Sequence, residues 1–169
     1  TVVMELRARF DEEANIAWAK KMTDAGIRVI FGNPSFKIHT KVCVISREEK
    51  SKLVHYSHIG TGNFNERTAR IYTDFSLFTR DPDITRETIA VFDLIQLPYR
   101  QQKFEHLMVS PINTKSVILD LIQNEMDNAE QGKEANIMVK VNNLVDFEII
   151  DKLYLASQSG VKIQGIVRG

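Results

Sequence analysis

The chain has 169 residues, 43% hydrophobic and 26% charged, an ordinary globular composition with length for one domain and part of another. Its 22 basic and 22 acidic residues cancel, so overall charge draws no polyanion and any anion site must be a local cluster. No run of about 18 apolar residues could span a bilayer, and Cys43, the single cysteine, excludes an internal disulfide and fits a reducing compartment.

In chain order, strands and helices alternate. The β-branched run Thr1–Ala8 predicts a strand at once, with no basic leader, so secretion is not expected. Asp11 is placed to cap the next helix, Glu12 and Glu13 suit its positive first turn, and Gly26 ends it. Ile27–Phe31 reads as a second strand, and a loop holding Pro34 leads to an apolar strand that carries His39. The charged stretch 47–52 predicts a turn, 53–59 a returning strand, 74–79 another strand and 84–97 an amphipathic helix. Cys43 lies within the apolar run and is expected to be a small core residue.

After Pro98-Tyr99 the pattern changes, which predicts a domain boundary near 100–107 and units over 1–104 and 105–169. A long helix is predicted over 114–131, a strand over 136–142, a helix over 146–159 and a strand over 161–167. The two ends echo each other: Val2-Val3-Met4, Asp11, Ala25-Gly26, Ile27 is followed much later by Ile137-Met138-Val139, Asp146, Ser159-Gly160, Val161. Both read strand, Asp-capped helix, glycine stop, strand, a grammar that any two βαβ units also share. The fold class expected is α/β, a mixed sheet flanked by helices, plus the opening βαβ part of a second similar domain. If the repeat is real, the second copy stops before its counterpart of the His39 strand, as expected of a piece of a longer enzyme.

The chemistry concentrates in Lys37-Ile38-His39-Thr40-Lys41 and Gly60-Thr61-Gly62-Asn63-Phe64-Asn65. On a strand, His39 and Lys41 would share a face because side-chain direction repeats every two residues. An imidazole beside an ammonium suits attack on phosphorus: the ring supplies a lone pair and the lysine a point charge for phosphate oxygens. The glycine turn can add backbone N–H groups and a carboxamide. Each residue also has a plainer reading. His39 and His58 could be hydrogen-bonded histidines of half-buried strands. Asn63 and Asn65 are turn formers, and Tyr72 is a core or rim aromatic. Arg9 could pair with Asp11 or Glu12. His55 and His106 read as surface or packing residues, and Asp74 is a possible hydrogen-bond partner for an imidazole.

The string His39-x-Lys41 with Gly60-Thr61-Gly62-Asn63 resembles the phospholipase D superfamily, although Ser46 stands where that superfamily has an aspartate. The longer strings resemble more narrowly the bacterial polyphosphate kinases of the phosphohistidine type. They are Glu5-Leu6-Arg7-Ala8-Arg9-Phe10-Asp11-Glu12, His58-Ile59-Gly60-Thr61-Gly62-Asn63-Phe64-Asn65, Tyr72-Thr73-Asp74, Leu107-Met108-Val109-Ser110-Pro111 and Val141-Asn142-Asn143-Leu144-Val145-Asp146.

The resemblance implies a phospholipase D-like first C-terminal catalytic domain and the start of a second. It also implies reversible transfer of the terminal phosphate of ATP to inorganic polyphosphate through a phosphohistidine. The residues themselves offer Lys41 as a catalytic partner that holds phosphate oxygens, His58 as a catalytic proton donor or phosphate contact or else a structural hydrogen bonder, and Asn63 and Asn65 as ATP- or phosphate-binding contacts beyond their role in turns. By the resemblance, His39 carries the phosphoryl group, Tyr72 lies near the nucleotide and Arg168 binds its phosphates. Arg9 belongs to a magnesium–phosphate site, where a guanidinium, having no lone pair, can clamp phosphate but cannot ligate Mg2+. The partners implied are ATP, ADP, polyphosphate and the remaining domains of a homo-oligomeric parent, with no nucleic acid. The location implied is the cytoplasm, with peripheral attachment to the inner membrane as a variant. Two other readings stay open: a phospholipase D-like phosphodiesterase or nuclease, and a noncatalytic polyanion-binding module.

Overall fold

The computed structural model describes residues 1–5, 12–32 and 37–168. The Asp11 cap and the Pro34 loop lie outside the described residues. The chain divides into two compact units, Thr1–Leu107 and Met108–Gly169.

In the first unit, β1 (Val2–Met4), α1 (Glu12–Asp24) and β2 (Val29–Phe31) form a parallel βαβ unit, with Val2 opposite Val29 and Met4 opposite Phe31. Helix α1 stops at Gly26, whose φ of +78° is the left-handed conformation that glycine adopts without a Cβ clash. There Gly26 N–H donates to the Thr23 carbonyl and Ile27 N–H to that of Met22, the paired bonds of a Schellman stop.

Strands β3 (Lys41–Glu49), β4 (Lys52–Gly60) and β5 (Ser76–Thr79) make an antiparallel sheet in that order. Among the described residues, parallel and antiparallel pairings thus occur in separate sheets within a mixed α/β architecture. The expected 47–52 turn narrows to Lys50 and Ser51, with φ of +49° and +62°. Positive φ at both central residues is the tight hairpin whose twist matches that of the flanking strands. Neither residue is the glycine or asparagine that marks such a turn in a sequence. The charged residues Arg47–Glu49 instead continue β3, opposite Lys52–Val54.

Helix α3 (Pro82–Gln96) begins on Asp81, whose carboxylate accepts the Asp83 and Ile84 N–H groups, with Pro82 in the first turn, where its missing N–H costs nothing. The helix packs on β3 and β4 and buries Thr85, Thr88, Val91, Leu94 and Ile95. One sheet face is covered: Val42 and Val44 are half-buried, and Ser57, opposite Val44, is buried. Cys43 and Ile45, on the other face, are exposed. Cys43 is therefore not the core residue expected. Its neighbours are apolar on both sides, so nothing in the run distinguishes the covered face from the open one.

In the second unit, α4 (Thr114–Glu130), α5 (Phe147–Gln158) and the parallel strands β6 (Asn136–Val141) and β7 (Lys162–Val167) enclose a core of Ile122, Ala135, Ala156 and Val161. Asp146 caps α5 by accepting the Ile149 N–H, and Gly160, at φ +95°, ends it. The β6–α5–β7 order repeats that of β1–α1–β2, each pair parallel. No helix among the described residues is long and apolar enough to cross a membrane.

Candidate active site

His39 does not lie on a strand. It sits in the segment 37–40 just before β3, and Lys41 is the first residue of that strand. The two nevertheless meet. The Lys41 ammonium donates to the His39 carbonyl at 2.6 Å, and its Nζ is 3.1 Å from both Nδ1 and Nε2 of the ring. An in-plane approach at equal distance from both nitrogens would collide with the carbon between them, so the ammonium lies toward the ring face. That leaves the in-plane lone pair pointing elsewhere.

Lys41 is buried although it is a lysine, whereas His39 is exposed. The partial burial of the imidazole, then the Lys41 charge, then Lys37 hold its pKa below the usual histidine value. Burial likewise lowers the Lys41 pKa; the Asp74 carboxylate partly restores it, and Lys37 lowers it again. The ring is therefore neutral over more of the physiological range than a free histidine, as a nucleophile requires.

The glycine turn is stapled to the start of β5. Thr61 N–H donates to the Phe75 carbonyl at 3.1 Å, Phe75 N–H donates to Thr61 Oγ1 at 3.0 Å, and Thr61 Oγ1 donates to Asp74 Oδ1 at 3.1 Å. Gly62 permits this closure: a Cβ there would stand 2.2 Å from Asp74 Oδ2, 2.5 Å from Cγ and 3.0 Å from Cβ. Rotating the carboxylate alone cannot clear all three atoms. We predict that Gly62→Ala opens the turn and lowers stability by about 1–3 kcal/mol, the usual cost of overpacking, measurable as a drop in the urea midpoint.

The open face of the sheet forms one wall of a cavity of about 750 Å³ that Cys43, Ile45, His58, Asn63, Phe64, Asp74, Phe78 and Arg80 help to line. His58 packs its ring against Phe78 and Phe64, at 4.7 and 5.5 Å between centroids. Its Nε2 is 3.1 Å from Ser76 Oγ, while its buried Nδ1 has no partner among the described residues. The structure thus groups His58, Asn63 and Asp74 around the cavity and groups His39 with Lys41. Asp74 belongs to both, since it lines the cavity and its charge acts on Lys41. It binds Thr61, not an imidazole.

Asn65 is first a helix cap. Its Oδ1 accepts the Arg67 and Thr68 N–H groups at the start of α2 (Glu66–Ala69), a helix the sequence reading missed because only one turn follows the cap. Its amide nitrogen remains the group that could donate to phosphate. Tyr72 is 54% exposed just beyond α2. Arg168 follows β7 in the second unit, is exposed, and donates its N–H to the Val141 carbonyl. Arg7 and Arg9 lie outside the described residues.

Ser46 Oγ is 2.7 Å from His55 Nδ1, so His55 is a paired surface residue and the serine is engaged with it. His106 is tied to Glu87. Among the described residues no group of three or more His, Cys, Asp or Glu could hold a metal ion. These side chains do not build a magnesium cage.

Comparison with known proteins bears on this geometry. The sequence pattern described as Polyphosphate kinase C-terminal domain 1 matches residues 1–103, and that of Polyphosphate kinase C-terminal domain 2 matches residues 107–169. Polyphosphate kinase of Vibrio parahaemolyticus is 59% identical over all 169 residues, which span 24% of its length. That of Escherichia coli K12 is 54% identical over the whole chain, which spans 25% of its length. The crystal structure of polyphosphate kinase from Porphyromonas gingivalis superposes with a TM-score of 0.83 at 36% identity, covering 99% of this chain and 28% of that one. The chain therefore spans about a quarter of the length of the relatives it matches, and it belongs to the polyphosphate kinase family.

Proposed function

We propose that this chain carries the phosphoryl-accepting histidine of a kinase that moves the terminal phosphate of ATP reversibly onto inorganic polyphosphate. The neutral His39 imidazole attacks the terminal phosphorus. A nitrogen–phosphorus bond forms as the bond from that phosphorus to the bridging oxygen breaks, and the electron pair leaves with ADP. The terminal oxygen of polyphosphate then attacks the phosphohistidine, the nitrogen–phosphorus bond breaks, and the ring is regenerated.

The observation that carries this reading is the contact of Lys41 Nζ, 3.1 Å from both ring nitrogens of an exposed His39. A fixed ammonium disfavours imidazolium and stands ready to meet negative oxygens as they arrive. In this reading Asn63 and the Asn65 amide donate to phosphate, and His58 donates a proton or contacts the chain. Tyr72 stacks on the nucleotide, while Arg168 and Arg9 clamp phosphates. Magnesium belongs with the nucleotide, whose phosphates hold it in most kinase sites. The site of action is the cytoplasm.

The test is incubation of the full-length protein with ATP labelled in its terminal phosphate, with magnesium present. Label that is acid-labile, base-stable and mapped to His39 supports the proposal; label elsewhere, or none, overturns it. A second expected result concerns the 169 residues alone. Phosphoryl transfer needs positive groups from several sides and exclusion of water. The isolated chain is therefore expected to show no measurable polyphosphate growth by gel assay.

A further inference from the structure

We infer that Glu5 is a positioning residue that anchors the segment bearing His39 to the carboxyl end of the β1–β2 pair. The inference rests on the reading of His39 given above and deepens it.

The sheet that follows His39 does not hold it. Segment 37–40 lies on no strand, and the β3–β4 pairing starts only at Lys41, opposite Gly60. On the far side of the ring, the Lys41 ammonium binds the His39 carbonyl at 2.6 Å. On the near side, Glu5 Oε2 accepts the Ile38 N–H at 2.8 Å, across 33 residues of chain. An ionised acceptor makes the stronger kind of hydrogen bond.

Glu5 is itself firmly seated. It directly follows β1, where the pairing with β2 continues one step through Gly32 N–H to the Met4 carbonyl at 3.1 Å. The Glu5 carbonyl accepts the Asn15 side-chain amide from α1 at 3.0 Å. Gly32 completes the anchor. A Cβ there would stand 2.8 Å from Ile38 Cδ1 and 3.3 Å from Cγ1, so the Ile38 side chain rests directly on the backbone just past β2. Ile38 is thus held by its N–H from the end of β1 and by its side chain from the end of β2. Both Ile38 and Glu5 are half-buried.

One peptide bond separates this anchor from the nucleophile. An attacking nitrogen must meet phosphorus in line with the leaving oxygen, and a misplacement of about 1 Å costs about a hundredfold in rate. Because the bonded group is a neutral N–H of fixed direction, the reach of the Glu5 side chain matters more than its charge.

Two variants of the full-length protein separate reach from charge. Glu5→Gln keeps an acceptor oxygen at the same distance and removes the charge. Glu5→Asp keeps the charge and withdraws the acceptor by one methylene, about 1.5 Å. The first readout is hydrogen exchange of the Ile38 amide by mass spectrometry, which needs no turnover. Exchange is expected to quicken by at least about twentyfold in Glu5→Asp, the scale of one lost hydrogen bond to a charged group, and to stay within about fivefold in Glu5→Gln. The second readout is the single-turnover rate of phosphohistidine formation. Glu5→Asp is expected to lower it at saturating ATP by at least about twentyfold, with the half-saturating ATP concentration unchanged within about twofold. Glu5→Gln is expected to stay within about fivefold.

Unchanged Ile38 exchange in Glu5→Asp overturns the inference. So does Glu5→Gln losing as much as Glu5→Asp, which would make charge the active feature. Faster exchange spread equally over β3 and β4 signals a merely structural role and overturns it too. Absence of phosphohistidine in the unmodified protein, with Ile38 exchange responding as expected, counts against the His39 reading alone. Unmoved exchange with phosphohistidine intact counts against Glu5 alone.

Discussion

Glutamine at position 39 is expected to abolish phosphoryl transfer in the full-length protein, lowering the rate by at least about a thousandfold, as removal of a nucleophile does elsewhere. The glutamine amide is close in size and keeps a donor and an acceptor, but it lacks a nucleophilic lone pair. His39 is exposed, so stability is expected to change by less than about 0.5 kcal/mol, and a urea titration distinguishes lost chemistry from lost fold.

The pH dependence carries a sign. Burial and the Lys41 and Lys37 charges depress the His39 pKa, so labelling of the unmodified protein stays near its plateau below the reference histidine value of about 6.5. Lys41→Gln removes the second of those causes, and labelling then falls off at higher pH than in the unmodified protein. A falloff at the same pH in both would show that Lys41 does not govern the imidazole.

The largest effect on stability is expected at Glu87. This carboxylate sits on α3 at 5% exposure and is bonded by the N–H groups of Glu105, His106 and Leu107 at 2.8–3.1 Å, with His106 Nδ1 also 3.1 Å away. It closes the first unit by tying down the segment that ends it. Glu87→Ala strands three backbone donors whose partner was charged, and a loss of about 3–5 kcal/mol is expected, as when one side of a buried charged network is removed. Glu87→Gln keeps one acceptor oxygen and is expected to lose about half as much. The measurement is the urea midpoint followed by the fluorescence of Trp18, the single tryptophan.

Linkage adds a check on the same contact. Burial pushes the Glu87 pKa up, but the backbone N–H groups and His106 outweigh it and hold it below the usual value. Its contribution is therefore full above the unfolded carboxylate pKa of about 4.3 and lost as pH falls through the folded value. The His106 pKa is raised by its bond to Glu87. Its contribution is full below the unfolded value of about 6.5 and lost as pH rises through the folded one. Stability from this pair therefore peaks in the mildly acidic range, and Glu87→Gln flattens both slopes.

Much of the fold was legible from local chemistry. Asp146 announces a helix start because a carboxylate can accept the unpaired first-turn N–H groups wherever it stands, whereas the Asp81 cap, which begins α3 at Pro82 and not at 84, came from the structure. Gly26 and Gly160 announce helix ends because each must adopt positive φ. The hairpin at Lys50-Ser51 was placed too broadly, since the tight connection of β3 to β4, not residue preference, forces both residues into the left-handed region. The one-turn helix α2 was missed because its cap looks like any other asparagine in a turn.

The candidate site divides along the same line. Sequence alone determined that His39, Lys41 and a Gly-Thr-Gly-Asn turn lie along one short stretch, and that these residue types suit phosphoryl chemistry; nucleophilicity, fixed charge and turn preference are properties of the residues themselves. It could not determine that His39 stands off the strand with Lys41 over its ring, that Cys43 faces an open cavity, or that Asp74 meets both Thr61 and Gly62. Those relations depend on which sheet face α3 covers and on where β5 pairs beside β4. They join residues distant in the chain, and no local preference encodes a distance between side chains until the strands are in register.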